Sequence, residues 1–153
     1  MFLVKYYFRT FLTFLHALLY ILHLMTSRRE LGNKGEEATC TFLMKQGYRI
    51  VCRNYWRKWG EIDIVATKEG ILYFVEVKTV SRDLSVTRET GDRYRAEDNL
   101  HEMKLRRLSR VIQTYLFSER IPHEQVWKFH IAIVLMDHFR AMSRVELLED
   151  IIL

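Results

Sequence analysis

Between Gly60 and Lys78 the chain carries two carboxylates and a lysine at spacings that permit chemistry. The stretch reads Gly-Glu-Ile-Asp-Ile-Val-Ala-Thr, then Lys-Glu-Gly, then Ile-Leu-Tyr-Phe-Val-Glu-Val-Lys. Two β-rich runs flank a short polar turn at Gly70, which predicts a hairpin because glycine accepts the positive φ such turns need. Side chains alternate along a strand, so Glu76 and Lys78 share one face while Val75 and Val77 take the other. A turn centred between Glu69 and Gly70 sets Asp63 opposite Glu76. Charged groups on half-buried strands must be paired, hydrated or bound to a cation. A carboxylate pair suits Mg²⁺ or Mn²⁺, hard ions that keep several waters and accept phosphate oxygens. A neighbouring ammonium can orient a water or balance charge on phosphate, so the chemistry indicated is metal-assisted phosphodiester hydrolysis. The same residues also suit a solvent-facing hairpin with an ordinary Glu–Lys pair, which is a common surface feature.

The elements around this hairpin must position it. Ser27 to Gln46 reads as a helix, with Leu31, Ala38, Phe42 and Leu43 as its apolar or small positions and Gly47 as its stop. Gly32 and Gly35 are expected to loosen its first turn. Glu36, Cys40 and Leu43 follow helical spacing, so Glu36 lies on or beside the packing face and could join Asp63 and Glu76 as a third metal ligand. Glu36 and Glu37 also suit a helix first turn on electrostatic grounds alone. Tyr48 to Asn54 is a strand. The segment Tyr55-Trp56-Arg57-Lys58-Trp59 interleaves cations with aromatics, a composition that stacks on exposed bases while meeting phosphates, and that equally caps a core edge.

Ser81 to Asn99 is charged and aperiodic, with arginines set among acids, and reads as a loop well placed to meet substrate. Leu100 to Phe117 is a second helix, with Leu105, Leu108, Ile112 and Tyr115 as its apolar stripe and Lys104, Arg106, Arg107 and Arg110 on other faces. Those cations could contact phosphate or simply face solvent; with Arg57 and Lys58, Lys104 and Arg107 are the candidate nucleic-acid contacts. Val126 to Met136 is almost unbroken apolar sequence, expected of a central strand buried on both faces. His130 within it reads as a packed residue. Phe139 to Leu153 closes the domain as a strand or helix. Together these elements predict an α/β unit: a mixed central sheet flanked by helices, with the acidic hairpin at its centre.

At 153 residues the chain is long enough for one domain with a real core, and its 49% apolar and 28% charged composition is globular. A net charge of +5 is compatible with a polyanionic partner. Cys40 and Cys52 have no metal-ligand spacing and are expected to be reduced, as in a cytoplasmic protein. Met1 to Leu24 stands apart. Phe11 to Met25 is nearly wholly apolar, with basic residues on both sides. Its uncharged length falls short of the ~20 residues a membrane span needs, and no small-residue cleavage site follows it. The expectation is an extension ahead of a domain starting at Met25. If translated, residues 1–24 form an apolar helix that docks on membrane or protein.

The hairpin motif, Asp63 on one strand and Glu76-Val77-Lys78 on the next, resembles that of the PD-(D/E)XK superfamily of restriction-endonuclease-like folds. A longer resemblance, from about Leu31 to the C-terminus, is to the YraN-like family of small bacterial proteins. It rests on Gly32-Asn-Lys-Gly35-Glu36, Gly47-Tyr48-Arg49-Ile50 with Arg53-Asn54, Gly60-Glu61-Ile62-Asp63, Phe74-Val75-Glu76-Val77-Lys78-Thr79, and Lys104, Arg107-Leu108 and Tyr115-Leu116. The chain departs at Val80, where the family commonly has Arg, and at His130, where it commonly has Asp. Members usually begin just before the first glycine motif, which motivates the expected start at Met25. The resemblance implies a nuclease-like fold and nucleic acid, DNA first, as substrate, with no small-molecule cofactor. Asp63, Glu76 and Glu36 would hold Mg²⁺ or Mn²⁺, and Lys78 would complete the catalytic set. The alternative is a catalytically silent nucleic-acid-binding module on the same scaffold.

Overall fold

A computed structural model describes residues 27–81, 102–137 and 142–153 of the chain. Helix α1 covers residues 27–45. The strands β1 (Arg49–Arg57), β2 (Gly60–Lys68) and β3 (Ile71–Ser81) follow, then helix α2 (Glu102–Ser118) and the strands β4 (Trp127–Asp137) and β5 (Met142–Leu148). The five strands form one sheet in chain order. β3 and β4 are parallel and the other pairs antiparallel. A parallel pair cannot be joined by a tight turn, and α2 lies in the crossover between β3 and β4. The mixed α/β sheet with flanking helices is therefore as expected. The expected apolar N-terminal helix and most of the loop expected from Ser81 onward lie outside the described residues.

Alternation along the strands builds two cores. Leu72 and Phe74 of β3 and Phe129, Ile131 and Ile133 of β4 pack with Leu108, Val111, Ile112 and Tyr115 of α2. On the opposite face Tyr73, Val75 and Ala132 pack with Cys40 and Leu43 of α1. β3 and β4 are thus covered on both sides, which explains why β4 reads as a continuous apolar run. His130 is buried there, its ring 5.0 Å from that of Tyr73, and its Nδ1 accepts a hydrogen bond from the Asp150 amide at 3.0 Å. It is a packed, satisfied histidine. Cys40 and Cys52 are free thiols in separate clusters.

The hairpin forms with the expected register. Lys68 pairs with Ile71 and Ile64 with Val75. Glu69 and Gly70 both have positive φ, 51° and 77°, the conformation a two-residue turn requires to match strand twist.

Several local expectations are corrected. β1 does not stop at Asn54 but runs through Trp56 and Arg57, because Trp56 pairs with Glu61 and Arg57 with Gly60. Gly32 and Gly35 do not loosen α1, which is helical across both. Gly35 instead permits close packing: a Cβ there would sit 1.8 Å from Thr79 Oγ1 of β3. On α2, Val111 is fully buried while Leu105 is only half-buried, so the buried stripe sits lower on the helix than the periodicity suggests. The C-terminal element is a strand, β5, paired antiparallel with β4.

Candidate active site

The site begins with an irregularity in β2. Ile62 packs with the α2 cluster and Ile64 with the α1 cluster, although residues two apart on a regular strand share a face. The adjacent strand changes at the same level. Cys52 and Tyr55, three apart, both pack towards α2, and Asn54 between them has φ 51°. Asp63 lies at this turn in the strand. Its Oδ2 accepts a hydrogen bond from the Val77 amide of β3 at 2.6 Å. A side chain thus takes a backbone donor where the strand pair begins to separate, and the carboxylate is held between the two strands.

Glu76 and Lys78 sit on the α2 face, as alternation from Phe74 requires. Glu76 Oε1 accepts from Lys78 Nζ at 3.0 Å and from Lys104 Nζ of α2 at 2.5 Å. Both carboxylates are buried, Asp63 at 9% exposure and Glu76 at 6%. Burying a charge is costly unless it is paired, and Glu76 is paired twice. Asp63 is not compensated in this way. Burial and then the neighbouring Glu76 charge raise its pKa to about 7, against the opposing Val77 hydrogen bond. Burial, with the nearby Lys104, pulls the Lys78 ammonium below its ordinary range despite Glu76. Burial also opposes charge on Lys104, but the Glu76 carboxylate outweighs it and holds that ammonium above the usual value. The shorter contact belongs to Lys104, so we assign it the firmer hold on its proton.

Glu36 does not join this group through hydrogen bonds. Its Oε2 accepts from Asn54 Nδ2 at 3.0 Å and Arg53 at 3.3 Å, both on β1. Its negative charge still reaches Asp63 and adds to the upward push on that carboxyl. Among the described residues, no group of three or more His, Cys, Asp and Glu side chains is arranged to hold a metal ion. Asp63 and Glu76 nevertheless have suitable donor chemistry for Mg²⁺ or Mn²⁺. They are hard oxygen donors, and both are buried close enough for the Glu76 charge to act on Asp63. Water and phosphate oxygens ordinarily complete such a shell.

Lys104, which the sequence places off the apolar stripe to contact phosphate or face solvent, instead turns towards the sheet. Its position beside Glu76 is a tertiary contact across 28 residues of sequence. The available signal was its place one turn before the buried Leu108, on the side turned towards the sheet. Arg107, one turn further on, lines two adjoining hollows. A cavity of about 420 Å³ is bounded by Glu76, Lys104, Arg107, Trp59, Gly60 and Glu61 among others. A larger cleft of about 790 Å³ shares Trp59, Gly60, Glu61 and Arg107 and adds Trp56, Arg57, Lys58, Arg106 and Arg110. The candidate contacts Arg57, Lys58 and Arg107 therefore line one cleft, and Arg107 also borders the cavity that holds Lys104 and Glu76.

The fold and site define an α/β protein with a mixed sheet and a buried acidic pair beside a basic cleft. A sequence model of the uncharacterised protein family UPF0102 matches residues 35–136, and the chain belongs to that family. The chain is similar to a UPF0102 protein of Helicobacter pylori (strain Shi470), at 33% identity over 84% of this chain and 96% of that protein. A Campylobacter jejuni relative is 39% identical over 55% of this chain, a match spanning 66% of that protein's own length. One from Helicobacter hepaticus is 33% identical over 63% of this chain and 77% of the relative. The matched region contains all four residues expected to form the catalytic set. These findings are consistent with the YraN-like resemblance read from the sequence. No described helix is long and apolar enough to cross a membrane.

Proposed function

We propose that this protein is a cytoplasmic metal-dependent endonuclease, hydrolysing phosphodiester bonds in nucleic acid, DNA first, on a restriction-endonuclease-like scaffold. The observation that carries the reading is the burial of Asp63 and Glu76 on neighbouring strands with Asp63 still protonating near neutral pH. Carboxylates arranged at the expense of their own ionisation are characteristic of functional sites. Asp63 and Glu76 would hold Mg²⁺ or Mn²⁺. When bound, such an ion lowers the pKa of water and screens phosphate charge. Lys78 would orient the attacking water and Lys104 would balance negative charge on the substrate. Glu36 would act through its charge, from its place on Arg53 and Asn54. Arg57, Lys58 and Arg107 would contact the nucleic-acid backbone.

One observation favours a second reading, a nucleic-acid-binding module without turnover: Glu76 is already neutralised by two ammonium groups. Incubating the full chain with plasmid, single-stranded and branched DNA, with Mn²⁺ or with EDTA, separates the two. The nuclease reading expects cleavage that EDTA abolishes and that Glu76→Ala lowers by about two orders of magnitude or more. Salt-sensitive binding without cleavage, or cleavage undiminished in Glu76→Ala, would overturn it.

A further inference from the structure

The basic cleft beside the carboxylates has a composition that neither a metal site nor a packed core calls for. Its walls are the end of the β1–β2 hairpin and the outer face of α2. Five cationic side chains line it against a single carboxylate, Glu61. Arg57 lies over the Tyr55 ring at 4.0 Å, and Arg110 lies over the Trp59 ring at 4.7 Å. Both guanidinium groups thus sit over aromatic rings, and Arg57 also donates from Nη1 to the Trp56 carbonyl at 2.8 Å, which fixes its place at the cleft. Trp56 is 66% exposed, although an indole is the largest apolar side chain a surface can hide. Its strand continues to pair on both sides of it, so its exposure is not a frayed end.

We infer that this cleft binds a single-stranded stretch of nucleic acid, with an unpaired base stacked on Trp56 and the backbone running along Arg107 towards Glu76. The inference rests on the nucleic-acid reading above and specifies its substrate as an unpaired strand. Duplex nucleic acid would use only the cations, because its base faces are already stacked on one another. An unpaired strand uses both the cations and the indole, since every base has a free π-face. The route to Glu76 is explicit in the shared walls: Trp59, Gly60, Glu61 and Arg107 border both the cleft and the cavity that contains Glu76.

The test measures binding of the full chain to a fluorescent oligothymidylate and to a duplex of equal length. Anisotropy is read in EDTA, so that binding is separated from cleavage, across a salt series. The expected result is single-strand binding about tenfold or more tighter than duplex binding at the same salt. Trp56→Ala should weaken the single-strand complex about tenfold, Trp56→Phe should largely restore it, and duplex binding should be unchanged in both. Arg107→Ala should reduce the salt slope by about one for either probe. Equal or tighter duplex binding, or single-strand binding indifferent to Trp56→Ala, would overturn the inference. Competition by polyglutamate as effective as by the oligonucleotide would also overturn it, assigning the cleft to an acidic protein instead. The two proposals fail separately. Loss of all cleavage with the Trp56 dependence intact sinks the nuclease and keeps the single-strand site. Glu76-dependent cleavage with no Trp56 dependence does the reverse.

Discussion

Lys104 of α2 and Glu76 of β3 meet at 2.5 Å, across the interface between helix and sheet. The contact has two consequences. It ties the orientation of α2 to the acidic strand, and with Lys78 it neutralises a carboxylate that the sheet has buried. Asp63, held by the Val77 amide and with no such pairing, carries the electrostatic strain of the site.

That strain should appear as a dependence of stability on pH. The Asp63 pKa rises from an ordinary 3.8 in the unfolded chain to about 7 in the folded one. Between these values the folded state binds more protons than the unfolded state, so the contribution is fully present below the lower value and is lost as pH rises to the higher. The slope is at most about 1.4 kcal/mol per pH unit. Asp63→Asn keeps an acceptor for Val77 and cannot ionise. Urea unfolding should find this variant more stable than the parent at pH 8, by an amount on the order of 1–3 kcal/mol, and nearly equal to it at pH 4. Parallel curves for the two proteins across that range would contradict the assignment.

Divalent cations should act in the opposite direction. If the pair accepts Mg²⁺ or Mn²⁺, the ion competes with the Asp63 proton and binds more tightly above pH 7. Millimolar Mn²⁺ should then raise the melting temperature of the parent more at pH 8 than at pH 5.5, and should have little effect on Asp63→Asn. A shift of equal size in both proteins would point to ions bound elsewhere.

Removing Glu76 leaves Lys78 and Lys104 facing each other without a shared counter-charge. Their side chains are 28% and 40% exposed, so each can partly regain water by rotation. Glu76→Ala should therefore cost about 1–3 kcal/mol in urea unfolding, below the full cost of orphaning a deeply buried ion. Adding Lys104→Ala should cost less than the sum of the separate effects, because the second change relieves the repulsion left by the first. Strict additivity would show that the Lys104 contact contributes nothing.

The helix-to-sheet contact at Gly35 allows a steric test. The Gly35→Ala methyl would fall 1.8 Å from Thr79 Oγ1, too close to accommodate without movement. The glycine carbonyl also accepts the buried Thr39 hydroxyl at 2.8 Å, a bond internal to α1, so relief has to come from movement of the whole helix or of Thr79. A loss of about 1–3 kcal/mol is expected, partly recovered by Thr79→Ala in the same chain. A stabilised Gly35→Ala, as helix propensity alone would give, would show that α1 does not approach β3 this closely.

What could be read directly were features governed by neighbours in the chain. A two-residue turn at Glu69 and Gly70 fixes hairpin register, and register fixes which side chains face one another. Thus the shared face of Glu76 and Lys78 was legible before any fold was known, whereas the ladder ends at Ile64–Val75 and Asp63 takes the Val77 amide instead of pairing opposite Glu76. The apolar run of β4 likewise announced a strand covered on both faces. Glu36 was legible only in part: helical spacing put it near the sheet, but Arg53 and Asn54, on a strand whose local twist has no simple sequence signature, took its carboxylate.

By itself, then, the sequence determined the hairpin, its register and the shared face of Glu76 and Lys78, because these depend on backbone geometry over a few residues. Only the tertiary structure decided that Lys104 neutralises Glu76, that Gly35 is a contact point with Thr79, and that Trp56, Arg57 and Arg107 line a common cleft. Those outcomes depend on how the helices dock on the sheet, and docking is set by side-chain volume and charge summed over segments far apart in the chain.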